Sequence, residues 1–111
     1  MAKQAIFEQE GKTIDYLNGG QTSIEVGTVV PLVSRIGISL ETIAPGAKGG
    51  VRLVGVWSMP ADDQTAFTVG DQLYWDATNE VLTKTATDNI PAGICTLAKA
   101  ASGTEASVRI G

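Results

Sequence analysis

The sequence predicts an all-β fold, either a small β-sandwich or a β-barrel-like domain of short antiparallel strands. Gly is abundant, at 13 of 111 residues, and Val, Ile and Thr are frequent, a composition that favours short strands over long helices. Turn-forming residues recur at short intervals, as they do in sandwiches and small barrels. A chain of this length supports one core, so we expect a single domain.

The first predicted elements lie near the N-terminus. Residues 4–9 and 12–17 resemble two short extended segments, and Glu10-Gly11 between them is a plausible tight turn. We therefore expect an N-terminal arm or hairpin over residues 1–17 and a compact β domain over residues 18–111. An extended arm can add a strand to the sheet edge of a neighbour, and an ordinary first hairpin of the fold is an equally good interpretation.

Residues 35–43 alternate between apolar and polar or small side chains, with Ile36, Ile38 and Leu40 on one face. This period of two predicts a half-buried strand. Pro31 places the preceding run at a sheet edge or a bulge, because proline lacks the backbone N–H that a central strand donates.

Residues 51–58 predict a further strand, which ends at Pro60. Alternation puts Val51 and Trp57 on the same face of this strand. We therefore expect Trp57 to pack in the core beside Val51.

The C-terminal half predicts a hairpin and two more strands. Residues 71–75 and 81–84 flank a typical hairpin loop at residues 76–80, and strands follow over residues 90–98 and 106–110. We find no internal repeat, coiled-coil heptad or low-complexity tail, so the domain is expected to be non-repetitive.

Charge and hydropathy exclude several classes of partner. The net charge is -4 and the basic residues are scattered, so we expect no nucleic acid, whose binding needs clustered Lys and Arg. No run approaches the ~18 apolar residues of a membrane helix, and the apolar core of a signal peptide is absent. We therefore expect no membrane partner and synthesis in a reducing cytoplasm, with Cys95 as a buried, inert thiol.

The sequence argues against catalysis and against a cofactor. It contains no histidine, which removes the common nucleophilic arrangements and most zinc chemistry. Asp62-Asp63 is expected to face water in a polar loop, and Gly11-Lys12-Thr13 lacks the earlier glycine of a phosphate-binding loop. Asp71 and Asp76 do not follow the alternation of a calcium loop, so no metal site is expected.

Aromatic side chains are the best candidates for a partner contact, because their faces can stack on sugars, bases or other proteins. Tyr74 and Trp75 must point to opposite faces of a strand, so one of the two rings is expected to be exposed. With the N-terminal arm, this gives the candidate contact residues Ile6, Phe7, Tyr16, Tyr74 and Trp75.

A series of strand and glycine-turn segments carries a resemblance to a known family. The segments are residues 27–30 (GTVV), 36–39 (IGIS), 49–51 (GGV), 55–60 (GVWSMP), 69–76 (VGDQLYWD), 90–95 (IPAGIC) and 107–110 (SVRI). Together they resemble the small phage and prophage capsid cement, or decoration, proteins. The resemblance covers nearly all of the chain and is most specific from about Gly27 onward.

The resemblance implies a compact β protein on the outer surface of a phage head. It implies the major capsid protein as partner, a homo-oligomer with a trimer favoured, and a place in the virion after synthesis in the bacterial host. No catalytic residue, cofactor or metal is implied. Two alternatives remain: a carbohydrate-binding or adhesion module of a phage particle that uses Trp57 or Trp75, and a small enzyme of unrecognised type.

Overall fold

The structure, a computed structural model, describes residues 4–111. They form nine strands, and no helix occurs among them. The strands are β1 (Thr13–Leu17), β2 (Val29–Leu32), β3 (Arg35–Ser39), β4 (Lys48–Arg52), β5 (Gly55–Pro60), β6 (Gln72–Asp76), β7 (Val81–Thr83), β8 (Ile90–Leu97) and β9 (Glu105–Ile110). The all-β prediction is confirmed.

The strands make two antiparallel sheets. The first has the order β1-β4-β3-β2, and the second has the order β5-β9-β8-β6-β7. Strand β2 is an edge strand, as Pro31 predicts. The hairpin predicted on either side of residues 76–80 is also present, as β6 and β7, with Trp75 opposite Leu82.

The prediction of a single strand over residues 51–58 is wrong. Strand β4 ends at Arg52, and β5 starts at Gly55 in the other sheet. The chain changes direction at Gly55, whose φ of 119° is rare for residues with a side chain. Val51 and Trp57 consequently belong to different cores.

Of the two expectations for residues 1–17, an arm or a hairpin, the hairpin does not form among residues 4–17, and residues 1–3 lie outside the described part of the chain. Strand β1 pairs with β4, with Ile14 opposite Val51 and Tyr16 opposite Gly49, so it belongs to the first sheet. Residues 4–12 are in no strand, and each is exposed. We call residues 4–12 the arm.

The two sheets are two copies of one four-stranded unit. Strands β1, β4, β3 and β2 of the first unit (residues 12–53) correspond in order and direction to β5, β9, β8 and β6 of the second unit (residues 55–110). The expectation of no internal repeat is therefore wrong. The equivalence rests on shared backbone pairing and leaves only short traces in the sequence.

The first trace is a turn that precedes β2 and β6. The segment Gln-Thr-Ser-Ile-Glu-Val-Gly at residues 21–27 corresponds to Gln-Thr-Ala-Phe-Thr-Val-Gly at residues 64–70. Gly27 and Gly70 have positive φ, at 83° and 95°, which glycine adopts without steric cost. Their backbone N–H groups donate to equivalent carbonyls, of Ser39 and Cys95, each at 2.8 Å.

A pair of reciprocal backbone hydrogen bonds closes each unit. Ile24 and Ile43 exchange bonds of 2.9 and 2.8 Å in the first unit, and Phe67 and Lys99 exchange bonds of 3.0 and 2.9 Å in the second. Each of these four residues is followed by a turn that leads into the next strand.

The units differ at β7, which only the second contains. In the first unit, β2 and β3 are joined directly by Val33-Ser34. In the second, β7 extends the sheet and also touches the end of β5, through a parallel bridge from Ala61 to Leu82 and a 2.9 Å hydrogen bond from the Asp62 N–H to the Leu82 carbonyl. The second unit is therefore nearly a closed barrel, whereas the first is an open, curved sheet.

The larger core fills the second unit and extends to one face of β3. It contains Phe67, Leu73, Trp75, Leu82, Val108 and Ile110, together with Ile36 and Ile38. Trp57 is half-buried against it. The smaller core lies inside the first unit and has only three fully buried members, Val30, Ile43 and Val51.

Two equivalent glycines allow the strands of each unit to cross closely. A Cβ at Gly37 would overlap the Val51 side chain and lie 3.1 Å from the Arg52 carbonyl oxygen. A Cβ at Gly93 would overlap the carbonyl of Arg109, the residue equivalent to Arg52. Because Gly93 also has a φ of 153°, only glycine fits there.

The root of the arm, the junction of the units and the end of β9 meet at one end of the molecule. The Leu53 N–H donates to the Lys12 carbonyl at 2.8 Å, and Gly55 pairs with Ile110. Gly111 lies against Val54 and the Leu53 carbonyl.

We predict that Gly93→Ala lowers the free energy of unfolding by about 3 kcal/mol or more, because the new methyl group meets main chain that cannot move without separating β8 from β9. Gly70→Ala is the matched control, since Gly70 also has positive φ but open space around its Cα, and its expected cost is about 1 kcal/mol. Equilibrium urea unfolding measures both. Equal losses would contradict the close crossing of the strands.

Candidate interaction surface

The most exposed large apolar side chains near the N-terminus are on the arm. Ile6 is 79% exposed and Phe7 is 82% exposed. Exposed apolar side chains that are adjacent in an extended segment can dock on a partner. The structure thus leaves two of the predicted contact residues accessible.

The other predicted contact residues are less accessible. Tyr16 is half-buried, because β1 directs it against the smaller core. Tyr74 is half-buried, whereas Trp75 is only 5% exposed and packs in the larger core. The two side chains do lie on opposite faces of β6, but Trp75 is a core residue, so its prediction as a surface contact is wrong.

The two tryptophans are largely engaged within the protein. Trp75 faces the inside of the second unit. Trp57 packs against the same core, and its indole Nε1 donates to the Val54 carbonyl at 3.2 Å. The Trp75 ring is therefore closed to a sugar, and Trp57 exposes only part of its surface.

The aspartates of the second unit organise turns. Asp62 accepts from the Gln64 N–H at 2.8 Å and from the Thr65 hydroxyl at 3.2 Å. Asp76 accepts from the backbone N–H groups of Thr78 and Asn79 at 3.0 and 3.1 Å. These bonds give both carboxylates a structural role in their own loops, and no group of three potential metal ligands occurs among residues 4–111.

Asp71 and Asp76 have lowered pKa values. The Asn79 side-chain amide, 2.8 Å from the carboxylate, is the main cause that lowers the pKa of Asp76 from 3.8. The main cause that lowers the pKa of Asp71 is the Thr68 N–H, which donates to its carboxylate at 2.7 Å. The Lys84 amine, 3.3 Å from the same carboxylate, lowers this pKa further. Both shifts arise because the donors favour the ionised form.

Two buried polar residues were not found from the sequence. Lys99 is 7% exposed, and its Nζ donates to the carbonyls of Ala100, Ala101 and Gly103 at 2.9, 3.3 and 3.1 Å. Its amine also lies 4.7 Å from the centre of the Phe67 ring, a cation–π contact. Only alignment of the two units, which puts Lys99 where the first unit has Ile43, indicates that this lysine is internal.

Asn18 is the second such residue. Its Nδ2 donates to the carbonyls of Thr22 and Ile43, both at 2.9 Å, and its Oδ1 accepts from the Gly20 N–H at 3.0 Å. These bonds hold the glycine-rich loop at the end of β1 in one conformation. Cys95 is buried as predicted.

Fold and surface together define a small all-β module with exposed apolar side chains on an arm that lies outside both sheets. No helix in the described part of the chain is long and apolar enough to cross a membrane. The chain belongs to the phage cement protein family, whose model matches residues 8–110. No curated protein and no solved structure matches it significantly.

Family membership confirms the resemblance seen in the sequence. It assigns the protein a structural role associated with the phage capsid. The match spans both units and includes β7, so the whole compact part of the chain is the family domain.

We predict that acid destabilises this protein partly through Asp71 and Asp76. Because their pKa values are lower in the folded state, their contribution to stability is complete above the unfolded value and is lost as the pH falls through the folded values. Melting temperatures between about pH 6 and pH 2.5 measure this loss. The double variant Asp71→Asn, Asp76→Asn should show a shallower decrease.

Asp63→Asn makes the same kind of change, with loss of one negative charge, at an exposed aspartate of a nearby loop; it is the control and should keep the wild-type profile. An unchanged slope in the double variant would show that the two carboxylates do not carry the acid sensitivity.

Proposed function

We propose that this protein binds the outer surface of the expanded phage head and stabilises contacts between major capsid subunits. The observation that carries the proposal is the family match over residues 8–110. An acidic module with scattered basic residues suits a protein partner better than packaged DNA. We place the protein in the virion, after synthesis in the cytoplasm of the bacterial host.

The proposed mechanism is mass action. A protein that binds the intact, expanded shell and not its ruptured state stabilises the shell in proportion to its affinity and bound fraction. Because a shell offers many equivalent sites, modest contacts at each site add up to a large effect. No cofactor and no catalytic step are required.

We propose a homo-oligomer on the shell, with a trimer favoured. Candidate contacts are Ile6 and Phe7 of the arm, with Tyr16 and Tyr74 as half-buried rings near the surface. An arm that leaves the compact fold at Lys12 can reach a neighbouring subunit without a change in either unit.

The carbohydrate-binding alternative loses support from the side chains on which it depends, because Trp75 is buried and Trp57 is engaged with Val54. The enzyme alternative has no supporting cluster, since the carboxylates described above hold turns.

We predict saturable binding to expanded heads. The purified protein is mixed with undecorated expanded heads and, in parallel, with unexpanded heads, and the pelleted fraction is measured by sedimentation against protein concentration. The expected result is pelleting that saturates with expanded heads and stays at background with unexpanded ones. Such binding would protect the heads against rupture by heat.

Absence of pelleting with folded protein and intact expanded heads would overturn the proposal. A glycan panel is then the next measurement, with binding expected only if the carbohydrate alternative holds. Equal pelleting with both head forms would contradict recognition of the expanded lattice.

A further inference from the structure

The internal repeat shows what the first unit lacks. In the second unit, β7 lies beside β6 and places Leu82 opposite Trp75, on the inner face. Leu82 is completely buried. The first unit has no strand in the equivalent position beside β2, which is therefore an edge of its sheet. A pocket lies at this edge, lined by Val29 and Pro31 and, from the second unit, by Pro60 and Trp75.

Equivalent side chains are less buried in the first unit than in the second. In the second unit, Met59, Phe67, Trp75 and Ile110 are fully buried. Their equivalents in the first unit are all only half-buried, namely Tyr16, Ile24, Leu32 and Leu53. The smaller core is therefore less completely covered than the larger one.

The arm carries a segment that fits this place. Ile6-Phe7 is an exposed apolar pair that no strand of its own chain engages, and Val81-Leu82 is an apolar pair in β7. The sizes are complementary, because Leu32 and Ile24 are smaller than their equivalents Trp75 and Phe67, and Phe7 is larger than Leu82. Cores tolerate such exchanges when the total volume is kept.

We propose that the arm of one copy occupies, in a second copy, the place beside β2 that β7 occupies beside β6. Phe7 then takes the position of Leu82 and faces Leu32, and Ile6 takes the position of Val81. The inference rests on the self-association proposed above and does not depend on capsid binding.

The length of the arm favours an arm from a second copy, and not the arm of the same chain, as the occupant of the place beside β2. The stretch from Phe7 to Lys12 spans at most about 17 Å, while β1 carries the chain about 20 Å from Lys12 to Asn18. Asn18 is the equivalent of Ala61, which β7 bridges. An arm that starts at Lys12 therefore falls short of the open place in its own chain.

The free edge of β2 offers few backbone hydrogen bonds to an added strand. The apolar contact between Phe7 and Leu32 is therefore the main source of specificity for the arm. The Ser39 N–H donates to the Thr28 carbonyl, so this carbonyl and the backbone N–H and C=O groups of every second residue after Thr28 face β3. The backbone groups of Val29 and Pro31 therefore point away from β3, toward the free edge. Pro31 has no N–H, which leaves the edge one donor short and discourages pairing with arbitrary strands. Each copy has one arm and one acceptor, so the contact joins two different surfaces; the smallest closed arrangement is a pair of copies that exchange arms, and a larger ring forms where the rotation between copies closes.

Disulfide trapping tests the register of the contact. Phe7→Cys and Leu32→Cys variants are made separately, mixed and oxidised, and the linked peptides are identified by mass spectrometry. The expected product joins the introduced thiol of one chain to that of the other, because the two positions correspond to the directly opposed pair Leu82 and Trp75. Phe7→Cys mixed with Val56→Cys, at an exposed residue of β5, is the control and should not link.

A second experiment measures self-association by sedimentation equilibrium. Phe7→Asp should weaken it by about tenfold or more, because a charge replaces a buried ring. Val69→Asp, the same kind of change at an exposed apolar residue of the second unit, should leave it unchanged. Circular dichroism checks that both variants keep the wild-type fold.

Three results would overturn the inference: a wild-type protein that stays monomeric, no cross-link in the mixed sample, or a disulfide that forms within one chain when both substitutions are combined. Head pelleting of the same variants separates this inference from the proposed function. Pelleting without the cross-link overturns the arm exchange alone, and the cross-link without pelleting overturns the capsid role alone.

Discussion

The close crossing of strands at Gly37 and Gly93 is the constraint on which the rest of the structure depends. At both positions a side chain would meet the neighbouring strand of the same sheet, β4 at Gly37 and β9 at Gly93, so the two strands can approach this closely only where glycine is present. Tight curvature makes the inside of each unit narrow enough for a few side chains to fill. The turns before β2 and β6, and the reciprocal backbone bonds from Ile24 and Phe67, hold the curved sheet at its ends.

Much of the fold could be predicted from local pattern. Alternation identified β3, the Asp- and Asn-rich loop identified the β6–β7 hairpin, and Pro31 identified an edge strand. Local pattern could not show that the run through Val51 and Trp57 breaks at Gly55, because a glycine fits equally well in a strand and at a sharp bend. It also could not show that β1 pairs with a strand far along the chain instead of with residues 4–9.

The candidate contact residues were less predictable than the fold, because the exposure of a side chain depends on which face of its strand meets the core. Alternation correctly separates Tyr74 from Trp75, but only the closed second unit shows that Trp75 is inside. The repeat is hard to recognise in the sequence because its strands share pairing and direction while few residues are identical, and because β7 interrupts the second copy. Once the units are superimposed by their hydrogen bonds, buried Lys99 and the half-covered smaller core both become visible. The capsid-associated role itself comes from the family match, since no titratable cluster of the fold indicates a function.

The meeting of Lys12, Val54 and Gly111 at one end of the molecule has a practical consequence for display on particles. A peptide genetically appended after Gly111 would emerge beside the root of the arm and would compete for space with whatever the arm touches. Cargo inserted in the loop at residues 100–103 would instead disturb the carbonyls that Lys99 holds. Cargo at the exposed turn Val33-Ser34 would lie next to the edge of β2, where the arm of another copy is proposed to bind. The β6–β7 loop, whose conformation Asp76 fixes locally, is therefore the better attachment point for an antigen or an enzyme.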